Sequence, residues 1–207
     1  MIKSTMSSNN SFAPTSVSDA AFPSRAVQAR HNSIVSPPAP SMKLAAVQRY
    51  ALSCGLLLVP ATLWNIALTA QLPSAFSLAE FWREIPASLA FAENSLRVGV
   101  FALPFLMPLE LSAPASGRAL LVYGMGTLVY FASWLALILS PTSSWSTSAW
   151  GFVAPAYTPF LWLLGIALLG RRLFWGGFYR WWMYLVIAVA FLAAHVSHTV
   201  LVYGRSH

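Results

Sequence analysis

From Leu44 to Tyr203 the chain is written as five apolar stretches joined by short polar links, and that alternation constrains its fold more than any other feature. The stretches run from about 44 to 69, 86 to 109, 119 to 140, 151 to 170 and 181 to 203. A helix rising about 1.5 Å per residue needs roughly 20 residues to cross about 30 Å of hydrocarbon, and each stretch has them. The links are rich in Pro, Ser, Gly and Arg, residues that end helices and suit turns. Of the 207 residues, 57% are hydrophobic and 8% charged, whereas roughly 25% of a soluble domain is charged. A water-soluble globular domain is therefore excluded. The expected fold is all-α integral membrane, a five-helix transmembrane bundle occupying residues 43–207 as one domain.

Residues 1–42 are different in kind. They hold ten serines, five prolines, three basic residues and one acid, Asp19, with no apolar run long enough for a signal peptide. Such a segment cannot bury enough apolar surface to offset its ordering entropy, which predicts a disordered polar tail. Its Arg- and Ser-rich, acid-poor character also fits an organelle transit peptide, although Pro37, Pro38 and Pro40 interrupt any amphipathic helix there. Met42-Lys43, directly before the first apolar stretch, offers an alternative start that would leave residues 1–41 unexpressed. From that start, Leu52-Ser53-Cys54 approximates a lipoprotein cleavage signal, but the apolar run continues past Cys54, so an uncleaved first span is expected. As the one cysteine, Cys54 can form neither an internal disulfide nor a zinc cluster and reads as a small buried hydrophobe.

The net charge of +7 and the pI near 10.1 bring nucleic acid to mind, yet the basic residues sit singly or in pairs between apolar runs. They are placed to set orientation instead, and no nucleic-acid partner is expected. With five crossings, one side collects Lys43, Arg49, Arg118, Arg171, Arg172 and Arg180, and the other only Arg83 and Arg205. The positive-inside rule then puts the N-terminus in the cytoplasm and the C-terminus outside. The expected location is the bacterial inner (plasma) membrane, with an organelle membrane as the alternative. Trp145, Trp150, Trp175, Trp181 and Trp182 fall at span ends, where indole rings anchor at the interface.

The second stretch breaks the apolar rule. Glu93, Asn94 and Arg97 lie inside it, and a charge at membrane depth costs about 2.5–3.5 kcal/mol even on the permissive insertion scale. Glu93 and Arg97 are four residues apart in the favourable order, acid before base, so on a helix they stack on one face and neutralise each other. Pro86, Ala90, Pro104 and Pro108 share that face, which predicts a kinked, hydrated helix. The structural reading is an ion pair that fixes register, or an interfacial helix with its charges among headgroups. In the functional reading, Arg97 holds an anionic group and Glu93 transfers a proton.

The last stretch carries His195 and His198, three residues apart and so neighbours on one helix face, shared with Tyr184, Phe191 and Val202. Paired imidazoles at this spacing suit a transition metal or, singly, haem iron, provided other helices add ligands. The other two histidines, His31 and His207, lie in the tail and at the terminus, so a closed metal site in the bundle would need Glu93 or another oxygen donor. Buried, hydrogen-bonded histidine is the commoner role.

Depth joins the two features. The second span runs inward and puts Glu93 about 10 Å below its outer end; the fifth runs outward and puts His195 about 12 Å from its own. Asn65, Tyr130, Trp134 and Tyr157 reach a similar level in the other spans. The expectation is a polar cavity in the outer half of the bilayer lined by Glu93, Asn94, Arg97, His195 and His198, with Asn65 and Tyr157 as further ligand-binding residues. Glu93, His195 and His198 are the candidate catalytic residues, and His195 and His198 the candidate metal ligands.

Tyr123-Gly124-Met125-Gly126 and Gly165 to Gly170 supply small residues for close helix approach, not a phosphate loop. A catalytic triad is implausible with the one Asp in the tail. No inverted repeat relates the two halves, which argues against a secondary transporter. In composition alone, five spans and nine tryptophans resemble the tryptophan-rich translocator proteins; the charged pair and the two histidines depart from that family.

Three functions remain open. One is a small lipophilic or lipid-like ligand bound in the cavity, with Glu93 and His195 or His198 exchanging protons. Another is a metal- or haem-binding subunit, and the third an accessory subunit of a homo-oligomer or larger membrane complex, with no site of its own.

Overall fold

Backbone polar groups that are buried away from water must be paired, and helices pair them within one segment. The described residues of the structure, a computed structural model covering 52–206, do so with helices. Among them there is no β-strand, only an isolated bridge between Ser53 and Pro108. The tail, the start of the first apolar stretch with Lys43 and Arg49, and His207 lie outside the described residues.

Five helices are long and apolar enough to cross a membrane, at Cys54–Gln71, Ala87–Leu106, Ser116–Leu139, Ala149–Leu169 and Trp181–Ser206. The first opens as a 3-10 turn (Cys54–Leu58), continues as α1 (Val59–Leu68) and closes as a 3-10 turn (Thr69–Gln71). A short helix, α2 (Leu78–Phe81), lies in the link that follows, with Ser77 as its cap. The second span is α3 (Ala87–Ala102), and the third is α4 (Ser116–Leu139). After a single turn, α5 (Ser144–Thr147), the fourth span is divided into α6 (Ala149–Tyr157) and α7 (Pro159–Leu169). The fifth is α8 (Trp181–Ser206).

The expected kink is in the wrong span. In α3 the helix is regular from Ala87 to Ala102, because its prolines sit where they do no harm: Pro86 precedes the first turn, Pro104 lies in the 3-10 turn Leu103–Leu106, and Pro108 is beyond it. The fourth span is interrupted instead. Pro155 and Pro159 each lack an amide donor, and the helix divides between them at Thr158. The Thr158 hydroxyl donates to Ala154 O at 2.8 Å and lies 3.3 Å from that of Ser133, which occupies polar groups at the break.

This interrupted span is the central pillar, with 72% of its membrane-length window buried against 17–33% for the others. Glycine lets α4 approach it. A Cβ at Gly165 would lie 2.6 Å from the Tyr123 Cα, and one at Gly126 would collide with the Trp162 backbone. α8 packs against α3, where the Tyr184 hydroxyl donates to Val100 O at 3.2 Å. α1 is held more loosely, burying only Ala61; Trp64 stacks on Phe131 at 4.0 Å, and the 3-10 turn before α1 is tied on by Tyr123 donating to Leu57 O at 2.8 Å. At one end, Cys54 N donates to Met107 O and Leu109 N to Leu52 O, both at 2.8 Å, clamping the start of the first span to the end of the second.

The outward faces are apolar: Ile66, Phe91 and Leu121 are 74, 76 and 65% exposed. Trp145, Trp150, Trp175, Trp181 and Trp182 are all exposed near helix ends.

Candidate functional site

The second and fifth spans run antiparallel side by side, so Glu93 near the start of α3 meets His195 and His198 near the end of α8. Glu93 is fully buried. Its Oε1 is paired with the Arg97 guanidinium one turn along and lies 2.9 Å from His195 Nδ1; its Oε2 lies 2.5 Å from His198 Nδ1. One carboxyl group thus gathers three charge-capable partners, an arrangement that offsets the cost of burying it. Asn94 braces the cation from outside: exposed itself, it accepts from Arg97 Nη1 at 3.1 Å and donates to Ala90 O at 2.9 Å. The guanidinium carbon lies 5.8 Å from the Trp82 ring centre and 5.9 Å from that of Phe191, within cation–π reach.

The two imidazoles have the same Nδ1 partner and different surroundings. His198 is fully buried against Phe81 and Trp82, at ring separations of 4.2 and 4.7 Å, and its Nε2 lies 2.9 Å from Phe81 O. A carbonyl only accepts, so His198 Nε2 carries a hydrogen. The bond on its other side therefore needs one more proton than a carboxylate and a neutral imidazole hold between them: either His198 is an imidazolium or Glu93 is the donor. His195 stacks on Phe191 at 5.5 Å and 7° and stays 24% exposed. With Nδ1 held at Glu93 Oε1, its Nε2 has no partner among the described protein groups and presents a lone pair to open space.

That space is a two-lobed cavity. The lobe of about 250 Å³ lies among Arg97, Val100, Phe101, Trp162 and Phe191; the lobe of about 210 Å³ lies among Leu72, Phe76, Phe81, Trp134 and Ala156. Asn65, Tyr130, Pro155 and His195 line both. Asn65 Oδ1 accepts from the Tyr130 hydroxyl at 2.5 Å, and Pro155 contributes the helix break, so the interrupted pillar makes the room and α1 bounds it.

Of the sequence candidates, Arg97, His195 and Asn65 line the cavity. Glu93 and His198 are sealed behind His195, because three partners around one carboxyl and a carbonyl on the far side of His198 leave neither an open side, and Asn94 faces outward. Tyr157 belongs elsewhere. Its hydroxyl donates to Trp150 O at 3.2 Å and its ring lines an apolar groove with Phe160, Val189 and Val196.

The two candidate metal ligands present unequal nitrogens. Both ring nitrogens of His198 are engaged and His195 has one to offer, so the two do not form a ligand pair. Among the described residues no group of three His, Cys, Asp or Glu side chains is placed to hold a metal ion.

Phe81 and Trp82 were not foreseen. They arrive from the link between the first two spans, which Arg205 at the end of α8 holds by donating to Arg83 O and, at 3.2 Å, to Glu80 O. The chain turns back at Glu84, whose φ of 53° is left-handed. The aromatic pair Phe81-Trp82 just ahead of a charged turn was the available signal. No protein-family model, curated protein or solved structure matches this chain.

Proposed function

We propose that the chain is a five-span protein of a bacterial inner membrane, N-terminus inside, that binds a small lipophilic ligand in the two-lobed cavity and exchanges a proton with it through His195. Exposed apolar side chains on every outward face, with tryptophans near the helix ends, support insertion. Arg118, Arg171, Arg172 and Arg180 lie at the end opposite Glu93, so the positive-inside rule supports an outer-half site.

The observation that carries the functional reading is the asymmetry of His195. Its Nδ1 is fixed by a fully buried carboxyl group, while its Nε2, on a ring that lines both lobes, has no partner among the described protein groups. This arrangement of acid, imidazole and open nitrogen is that of a general base. A ligand O–H passes its proton to Nε2, Glu93 stabilises the imidazolium, and Arg97 faces the charge left on the ligand.

Two experiments test this. Ala156→Leu fills the second lobe; a small amphiphile near one per chain should be found by mass spectrometry in the wild-type protein in nanodiscs and be depleted in the variant. Equal content in both would overturn the ligand reading. For orientation, the native Cys54 is buried, so Phe178→Cys and Ser206→Cys should react with an impermeant maleimide from opposite sides, Ser206→Cys from outside. Labelling from the same side would overturn the five-crossing topology.

A further inference from the structure

Resting on the cavity reading above, we infer that the ligand is a monocarboxylic acid with a short apolar tail, bound with its proton shared between the carboxyl group and His195 Nε2. The first step is a charge count. Arg97 and Glu93 cancel, and the hydrogen that His198 must hold on Nε2 leaves the cluster one proton richer than that neutral pair. With His195 neutral, the cluster therefore carries one net positive charge, centred on an Arg97 side chain that is 37% exposed. Other described acids are committed elsewhere or remote from it: Glu80 pairs with Arg83, Glu110 with Arg172 towards the far end, and Glu84 is exposed on the link. A cationic ligand such as an amine is disfavoured.

The second step is geometric. The cavity wall offers two complementary groups together, a guanidinium with N–H groups to spare and an imidazole nitrogen without a partner among the described protein groups, which accepts when the ring's one hydrogen sits on Nδ1 against Glu93. A carboxyl group matches both, its carbonyl oxygen on Arg97 and its O–H on His195 Nε2. An alcohol satisfies His195 alone. A phosphodiester carries no proton at neutral pH to share, and a phosphate monoester brings up to two negative charges against one. The titratable or charged groups facing His195 are Glu93 and Arg97 from α3, His198 from its own helix and Tyr130 from α4. From α1, α6 and α7 it meets Asn65, prolines and apolar side chains, and from the α2 link the Phe81 ring. With the head between Arg97 and His195, the second lobe, walled by Leu72, Phe76 and Trp134, receives the tail.

A carboxylate taken from neutral solution then binds together with one proton, and the charge of the site is unchanged. The test is calorimetric titration of octanoate into the protein in nanodiscs, with empty nanodiscs as blank, in phosphate and in Tris. The different ionisation heats of the two buffers report proton uptake. The expected result is saturable binding of one octanoate per chain with uptake of about one proton, and at least tenfold weaker binding of octan-1-ol and octylamine. His195→Leu should bind octanoate at least tenfold more weakly and without proton uptake. Should that variant fail to fold, Ala156→Leu should weaken octanoate at least tenfold while leaving butyrate within about twofold.

Octan-1-ol binding as well as octanoate would overturn the carboxylic-acid assignment and leave the cavity reading standing. So would tighter binding of dihexanoylphosphatidylglycerol without proton uptake, which would identify a lipid headgroup. Octanoate bound without proton uptake would overturn the shared proton. No binding of any probe would overturn both readings.

Discussion

Replacing Glu93 with glutamine and with alanine should give two very different proteins, and the difference follows from the proton count. An amide can place its oxygen towards Arg97 and His195 Nδ1, where Glu93 Oε1 now sits, and its NH2 towards His198 Nδ1, in place of Oε2. His198 keeps its Nε2 hydrogen on Phe81 O and accepts on Nδ1, so no polar group is orphaned. What is lost is charge assistance: hydrogen bonds to charged groups contribute about 1.5–3 kcal/mol and neutral ones about 0.5–1.5, which puts Glu93→Gln at roughly 1–2 kcal/mol. Alanine instead strands Arg97 and His198 around an empty centre, and breaking a buried pair in this way costs about 3–5 kcal/mol. Reversible unfolding in mixed micelles, followed by circular dichroism, measures both. Histidine ¹⁵N spectra supply the second readout: Glu93→Gln should leave His198 a neutral Nε2–H tautomer, whereas the wild type holds a proton on or shared with both nitrogens. A glutamine variant as unstable as the alanine one, or one whose His198 is still doubly protonated, would refute the assignment.

Gly165→Ala should cost about 1–3 kcal/mol, because the new Cβ meets the Tyr123 backbone and cannot be relieved by a rotamer change, while Gly124→Ala, with nothing within 4 Å of its Cβ, should be neutral or slightly stabilising. Thermal melts of the two variants compare them directly, and equal losses would contradict close packing of α4 on α7. Tyr179, in the link before α8, has its phenol pushed well above its ordinary value by burial and secondarily by Cys54. Its raised pKa makes the associated stability fully present below about pH 10, the unfolded value, and lost as pH rises beyond it. Tyr179→Phe should flatten that alkaline loss in unfolding midpoints compared at about pH 8 and pH 11, while giving up the hydroxyl bond to Met107 Sδ at 2.9 Å. An unchanged slope would show that another group governs it.

The meeting of Glu93 with the two histidines was legible because helical rise is uniform. Two residues equally far from the same ends of antiparallel helices share a level, and an acid–base pair on one face of an otherwise apolar helix finds its polar partners inside the bundle. What was not legible has particular causes. The partner that fixes His198 is a backbone carbonyl, Phe81 O, and a carbonyl has no residue-type signature. Tyr157 shares the depth of the site yet faces away, since two residues along a helix from the lining Pro155 is a rotation of about 200°. The Pro155 and Pro159 pair was visible inside the fourth apolar run, whereas the prolines flanking the charged stripe drew the expectation of a kink. A proline at or beyond a helix end removes nothing the helix needs; only the interior pair interrupts it and opens the cavity.

Two identical side chains three residues apart therefore divide one task, and their roles can be separated by stability and binding measured on the same proteins. His198→Leu removes the donor to Phe81 O and the partner of Glu93 Oε2 in a fully sealed pocket. Glu93 Oε2 left without a partner there costs about 1–3 kcal/mol, and losing the bond to Phe81 O, which keeps the contact from Arg205 at 3.5 Å, about 0.5–1.5 kcal/mol more, so the loss should be roughly 2–4 kcal/mol. His195→Leu removes one bond to an oxygen that Arg97 still holds, beside a cavity, and should cost no more than about 1.5 kcal/mol. Binding should rank the other way, with His195→Leu abolishing proton uptake and a folded His198 variant retaining it. If His195→Leu proves the more destabilising, the open imidazole is the structural one, and the proton exchange assigned to it falls with that ranking.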